Sequence, residues 1–256
     1  MTLPFSDGDQ VLLVDAKKRR YLVTLAAGGE FHTHAGVIAH DEIIGAAEGT
    51  SVHATHGGTF LAIRPTLADF VLKMPRGAQV IYPKDLGPIL LLADIAPGVR
   101  VLESGVGSGA LSMTLVRAGA VVTGYEVRED FARRAQRNVA TFLGEEALGR
   151  YRVEIRDAYG GIDETDVDRV LLDLPEPWRM AKHAARALHP GGVLVAYTPQ
   201  ITQVVQLRKE LVGNGFGMVD TVEVLQRGWH IERQSVRPDH RMVAHTGFLT
   251  SARLLS

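Results

Sequence analysis

The chain has 256 residues, 46% of them hydrophobic and 22% charged, and a formal net charge of −1 at neutral pH. It contains no cysteine, which excludes disulfides, thiolate catalysis and cysteine-based zinc sites and makes the cytoplasm the default location. No apolar run reaches the ~18 residues of a membrane-spanning helix, and the start "MTLPFSDGDQ" lacks the basic and apolar blocks of a secretory signal.

Residues 1–65 read as a small β domain. The runs "VLLV", "RYLVTL", "GVIAH", "SVHAT" and "TFLAI" are β-rich and separated by glycine- or charge-containing turns. Residues 66–79 form a helical linker in this reading, with Thr66 as cap and Pro75-Arg76-Gly77 as stop. From residue 80 the texture changes to alternating strands and helices. "VRVLESG" is a strand and "GALSMTLVRAG" a helix. "AVVTGYE" is a strand and "REDFARRAQRNVATFLG" a helix. "YRVEIRD" is a third strand. "DRVLLDL" precedes the helix "WRMAKHAARALHP", and "GGVLVAYTP" precedes "ITQVVQLRKELVGNG". Such alternation predicts a doubly wound, mostly parallel α/β sheet. Two tail strands, "GMVDTVEVLQRGW" and "VAHTGFLTSARLL", with an irregular link between them, are expected to pair antiparallel at the edge.

The turn "ESGVGSG" closes the first of these strands and opens a helix. Gly105, Gly107 and Gly109 permit close approach of a ligand, and the spacing G-x-G-x-G differs from a dinucleotide fingerprint. Glu103 stands two residues before the first glycine. A carboxylate beside a helix N-terminus repels a pyrophosphate and suits a cation, such as the ammonium or sulfonium of S-adenosylmethionine. Glu126 ends the second strand, 21 residues after Gly105, where a carboxylate accepts hydrogen bonds from ribose hydroxyls. Asp157 ends the third strand, placed to accept from an adenine amino group or simply to make a turn, with Phe131 and Ala158 as candidate flanks of the ring.

Asp173 ends the fourth strand in "LLDLPEPW", at the carboxyl edge where such sheets bind ligands. Pro175 and Pro177 restrict the backbone after it. The segment reads as a rigid polar ledge, with Trp178 either a flat binding surface or a hydrophobic plug. A ledge of this kind beside a methyl donor fits methylation of a planar nitrogen. Adenine N1 attacks without prior deprotonation, and an aspartate on the exocyclic amino group stabilises the cationic product.

The chain resembles the bacterial and archaeal tRNA adenine-58 N1-methyltransferases, a class I S-adenosylmethionine family. The likeness rests on "FHTHAG", "MPRGAQVIYPKD", "VLESGVGSGALS", "YEVRED", "LLDLPEPW", "YTPQITQ", "LQRGW" and "VRPDHRMVAHTGFL". It implies a class I methyltransferase fold with a seven-stranded sheet over residues 80–256, and a homotetramer. It implies that Ser108, Gly109, Ala110 and Leu111 line the methionine and ribose end of the cofactor, with Gln79 beside it. Glu126 would hold the ribose, and Phe131 and the region of Asp157 the adenine. Asp173 would be the central active-site residue, touching cofactor and base. Tyr82 would reach the same pocket, and His245 and Thr246 would lie near it or on the tRNA path. Ser104 and Val106 stand where the family usually has Ala and Thr, and both leave the glycines intact.

Two other readings predict different sequences. A nicotinamide-dependent oxidoreductase predicts G-x-G-x-x-G without Glu103, and a non-catalytic tRNA-binding subunit predicts a broken turn or loss of Asp173. The near-neutral charge counts against a uniformly basic nucleic-acid binder, yet "KKRR", "ARRAQR" and the stretch 227–241 concentrate positive charge. His32, His34, His53 and His56 invite a zinc site, but nothing nearby completes a ligand set, so no metal is expected.

Overall fold

The computed structural model describes residues 3–77 and 79–255, in two compact units that divide between Met74 and Pro75. The N-terminal unit is built from β1 (Gln10–Asp15), β2 (Arg20–Thr24), β3 (Glu30–Thr33), β4 (Gly36–Ala39), β5 (Thr50–His53), β6 (Thr59–Ile63) and α1 (Leu67–Lys73). Four strands form an antiparallel sheet in the order β2-β1-β6-β5, and β3 and β4 form a separate hairpin. Alternation decides which side is buried: in β6, Phe60 and Ala62 face in while Thr59 and Leu61 face out. Phe5, Val11, Leu13, Leu25, Ile38, Ile43 and Phe60 close this core.

The helix α1 belongs to this unit, not to a separate linker as the sequence suggested. Thr66 caps it in a reciprocal box with Asp69, and Asp69 is bridged to Arg20 of β2 at 2.8 Å.

The second unit begins with α2 (Pro83–Leu92) and continues through β7 (Arg100–Ser104), α3 (Ala110–Arg117), β8 (Val121–Glu126), α4 (Glu129–Leu143) and β9 (Tyr151–Ile155). Then come β10 (Val167–Leu172), α5 (Ala181–Ala187), β11 (Leu188–Thr198), α6 (Ile201–Gly213), β12 (Phe216–Glu223), β13 (Trp229–Glu232), β14 (Ser235–Pro238) and β15 (Phe248–Leu254). Seven strands make one sheet in the order β12-β15-β11-β10-β7-β8-β9. The strands β7 to β11 run parallel, and their continuous buried runs, such as Val193–Ala196, mark strands covered on both faces. β15 inserts antiparallel between β11 and β12. The tail strands thus pair as expected, but their link is not irregular throughout, since β13 and β14 fold into a hairpin.

This winding fixes where a ligand can go. The chain leaves β7 toward β8 and β9 on one side, and later returns to place β10 and β11 on the other. The loops after β7 and β10 therefore splay apart at the carboxyl edge and open a crevice between them. In register, Leu172 lies opposite Ser104, so Asp173 comes next to Gly105.

Candidate active site

Three backbone reversals shape the loop after β7. Gly105 has φ +88° and donates its N–H to the Tyr125 carbonyl at 3.1 Å. Asp173 donates its own N–H to the Ser104 carbonyl at 2.9 Å. A Cβ on Gly105 would run into the Asp173 carbonyl, so glycine is needed there for both handedness and space. Gly107 (φ +55°) donates its N–H to Glu126 Oε2 at 2.9 Å, and Glu126 Oε1 accepts from the Arg128 N–H at 3.0 Å. Glu126 thereby ties the end of β8 to the loop. Gly109 caps α3 at φ +85°, and a Cβ there would sit 3.1 Å from Ala135 of α4.

Glu103 is fully buried. Its Oε2 accepts from Ser112 Oγ at 2.7 Å, and Ser112 Oγ accepts in turn from the Tyr151 hydroxyl at 3.0 Å. Among the described residues, its Oε1 and the buried Ser108 Oγ have no hydrogen-bond partner. Burial pushes the Glu103 carboxyl up to about 8, with the nearby Asp173 and Glu126 charges adding to the push against the Ser112 hydrogen bond. Burial also pushes Asp173 up to about 7. Among the described residues no basic side chain pairs with either group. Carboxylates that converge on one crevice, with a buried oxygen unused, are prepared for a cation from outside the chain. S-adenosylmethionine is such a cation, and its glycine-loop requirements are met at Gly105 and Gly107.

A second group of residues walls the crevice. Tyr82 is the N-cap of α2 and Pro83 its first residue. Asp85, fully buried, pairs with Lys84 Nζ at 2.9 Å and accepts from Thr246 Oγ1 at 2.7 Å. Lys84 also donates to the Val224 carbonyl at 2.6 Å. The Tyr197 hydroxyl, at the end of β11, donates to the Thr246 carbonyl at 2.5 Å. Burial pushes that phenol up to about 12, and Asp85, Asp173 and Tyr82 lie close enough to add to the push. Tyr82, Asp85, Asp173 and Tyr197 therefore share one neighbourhood.

His245 closes the same segment. Its Nδ1 lies 2.6 Å from Glu223 Oε1 and its Nε2 2.8 Å from the Pro199 carbonyl. A carbonyl and a carboxylate only accept, so this geometry holds a doubly protonated ring. The Pro199 carbonyl and then Glu223 raise its pKa. His245 is thus a clip between β11 and β12 ends, with neither ring nitrogen free for a substrate.

The remaining candidates fall in different places. Ala110 and Leu111 are buried on α3. Trp178 packs with Tyr159 and Leu174 against the main core. Asp157 is exposed and caps a short turn, Oδ1 accepting from the Tyr159 N–H at 2.9 Å. Phe131 is buried with the Arg128 guanidinium 3.9 Å from its ring centre. Gln79 is exposed. Among the described residues no three metal-ligating side chains come together. His34 is engaged by Arg19 at 2.7 Å, and His32 lies 3.6 Å from Glu30. The sequence reading missed Lys84, Asp85 and Tyr197. Tyr197 ends a parallel strand, so the rule that found Asp173 would have found it too.

Comparison with known proteins shows which family the chain resembles. The family described as "tRNA methyltransferase complex GCD14 subunit" matches residues 59–238, and "TrmI-like N-terminal" matches residues 4–52. The tRNA (adenine(58)-N(1))-methyltransferase TrmI of Thermus thermophilus is 40% identical over 247 residues, covering 95% of this chain and 96% of its own. Among solved structures, an S-adenosylmethionine-dependent O-methyltransferase from Thermotoga maritima superposes with a TM-score of 0.93 at 33% identity, covering 98% of this chain and 95% of its own. The tRNA (m1A58) methyltransferase TrmI from Aquifex aeolicus superposes with a TM-score of 0.86 at 30% identity, covering 99% of both chains.

Proposed function

The chain belongs to the tRNA (adenine-58-N1)-methyltransferase family, and we propose that it transfers the methyl group of S-adenosylmethionine to N1 of adenosine 58 in the T-loop of tRNA. The observation that carries this reading is the pairing of Glu103, with its unused buried oxygen, and Asp173 across the Gly105 turn. When bound, the cofactor supplies a methyl group activated by a sulfonium. Glu103 would hold its cationic end, and Glu126 its ribose. Asp173 accepts from the exocyclic amino group of the target adenine, which fixes the base in line with the methyl group. Adenine N1 carries a lone pair and no proton, so no base is needed. As the N1–CH3 bond forms and the S–CH3 bond breaks, positive charge moves onto the ring, and Asp173 stabilises it there. Tyr82 flanks the base, which must be flipped out of the T-loop stack to arrive.

The Thermotoga maritima neighbour bears the name of an O-methyltransferase, an enzyme whose acceptor is an oxygen. An alcohol must lose its proton as it is methylated, and Asp173 would then serve as base. Nucleoside analysis separates the two. After incubation with labelled S-adenosylmethionine and unmodified tRNA, the label is expected in 1-methyladenosine at position 58. Label in a 2′-O-methyl nucleoside, or none in tRNA, would overturn the assignment. NAD binding without methyl transfer would favour an oxidoreductase, and tRNA binding without turnover a non-catalytic subunit. The reading also implies a cytoplasmic homotetramer. Among the described residues no helix is long and apolar enough to cross a membrane.

A further inference from the structure

The "KKRR" run finds no task in the methyl-transfer chemistry. It forms the tip of the β1–β2 hairpin, where Val14 pairs with Arg20. Asp15 builds the tip: its Oδ1 accepts from the Lys17 and Arg19 N–H groups, each at 2.9 Å, and its carbonyl accepts from the Lys18 N–H at 2.8 Å. The four cations then divide. Arg19 is paired with Asp15 at 2.6 Å and Arg20 with Asp69 at 2.8 Å. Lys17 and Lys18 are exposed, and among the described residues neither ammonium has an acidic partner.

Lys18 has φ +61°. A three-residue hairpin loop of this kind ends in a left-handed residue, a position that glycine or asparagine fills with least strain. A long cationic side chain there departs from the local rule, and departures of this sort concentrate at functional positions. Beneath the tip, Arg19 holds His34 at 2.7 Å. Together with Lys17, Gly57, Gly58 and Thr59 they line a shallow cleft of about 130 Å³, whose wall also includes Phe60 and Asp15, the latter paired with Arg19. None of the unit's large exposed apolar side chains lines it. An anionic polymer fits such a surface better than a lipid or a hydrophobic peptide, both of which need apolar anchors.

We propose that the β1–β2 tip, with Lys17 and Lys18 above the Arg19–His34 cleft, is a phosphate-backbone contact for the tRNA. The proposal rests on the reading of the chain as a tRNA methyltransferase. It assigns the N-terminal unit a share of the RNA grip that is separate from the chemistry. Phosphate contacts of this kind position the polymer and carry no base specificity.

The test uses the full-length protein and an unmodified tRNA transcript, with affinity measured across a salt series. At ~0.15 M salt a contact whose logarithmic salt slope is near 0.9 contributes about fivefold to affinity. Lys18→Gly is expected to raise Kd about fivefold and flatten the salt slope by about one. It is also expected to raise Tm, because glycine relaxes the left-handed backbone. Lys18→Asn keeps the turn without the charge and should bind as weakly, while Lys18→Arg should bind as the wild type does. S-adenosylmethionine affinity should not change in any of them. A wild-type protein that fails to methylate tRNA defeats the functional reading itself. A wild type that methylates, with Lys18→Gly unchanged in affinity and slope, overturns the tip assignment alone. So does a Lys18→Gly protein that loses stability and affinity together. Unaltered tRNA binding with lost adhesion to phosphatidylglycerol vesicles would reassign the tip to lipid.

Discussion

Asp173 acts in the proposed reaction as a carboxylate, yet burial pushes it up to about 7 in the protein alone. The active form therefore accumulates as pH rises. Steady-state kcat/KM, which reports the free enzyme, is expected to climb through about pH 7 and level off above it. The limb in kcat should lie lower, because a bound cation favours the ionised form. Asp173→Asn should flatten both profiles and lower kcat about a hundredfold or more while cofactor binding survives. Wild-type rates in that variant would remove Asp173 from the mechanism. Glu103 makes the opposite demand on the fold. Its folded pKa of about 8 lies above the ordinary glutamate value of 4.5. Between those values the folded state binds the extra proton, so the ligand-free protein should lose stability as pH rises from 5 to 8, by up to roughly 1 kcal/mol per pH unit. Calorimetry of Glu103→Gln should show that slope reduced, the raised Asp173 keeping a share of it below about pH 7, with a higher Tm at pH 8 and loss of cofactor binding. Both residues were legible in the sequence, because a charge that ends an apolar run is conspicuous. Ser112 and Tyr151, which complete the Glu103 chain, were not legible, since nothing in a helix or a third strand marks a hydroxyl as inward-facing.

Strands β3, β13 and β14 escaped the sequence reading, and so did α2, which walls the site. "PKDLGPILLL" carries Pro83, Gly87 and Pro88, a composition that argues against a helix. Pro83 sits at the first helical position, where its missing N–H costs nothing, and tertiary packing does the rest. Its partner segment lies 161 residues away, at Thr246, so their hydrogen bond has no local signature. Lys84 and Asp85 likewise look like solvent-facing charges until the fold buries them. This clip has a measurable role. Thr246→Val removes one hydroxyl from a buried carboxylate and is expected to cost about 1–3 kcal/mol. Thr246→Ser should restore stability, as read from denaturant midpoints. Equal stabilities for the two variants would show that the Asp85 contact does not hold the segment. The His245 clip adds a pH dependence of its own. Its folded pKa is raised, so its contribution is complete below the ordinary histidine value and is lost as pH rises through the raised one. His245→Gln should lose that dependence.

For the whole molecule, strand–helix alternation was enough to foresee a parallel sheet, and two late strands with no intervening helix foresaw its antiparallel edge. Strand order was not foreseen, because it depends on which side each crossover takes. The boundary between the units was displaced for a related reason: nothing local to α1 says which core it serves, whereas the division of the chain at Met74–Pro75 and the Arg20–Asp69 pair do. The proposed homotetramer is tested by light scattering on the purified protein. The expected mass is four times that of the 27.8 kDa chain. A monomer retaining full methylation would show that each subunit is sufficient.

The acidic crevice between β7 and β10 has a consequence for how a catalytic cycle ends. Methyl transfer to N1 creates no net charge in the crevice; it relocates one positive charge from the side of Glu103 to the side of Asp173. While the modified base stays in place, that charge would be held by Asp173. Once the tRNA withdraws, it would carry that charge away, leaving a spent cofactor that keeps its α-ammonium but has a neutral thioether where the sulfonium was. With the sulfonium charge gone, the acidic crevice would hold the spent cofactor less tightly than the fresh one. Departure of the RNA would thus prime the exchange that readies the enzyme for its next round.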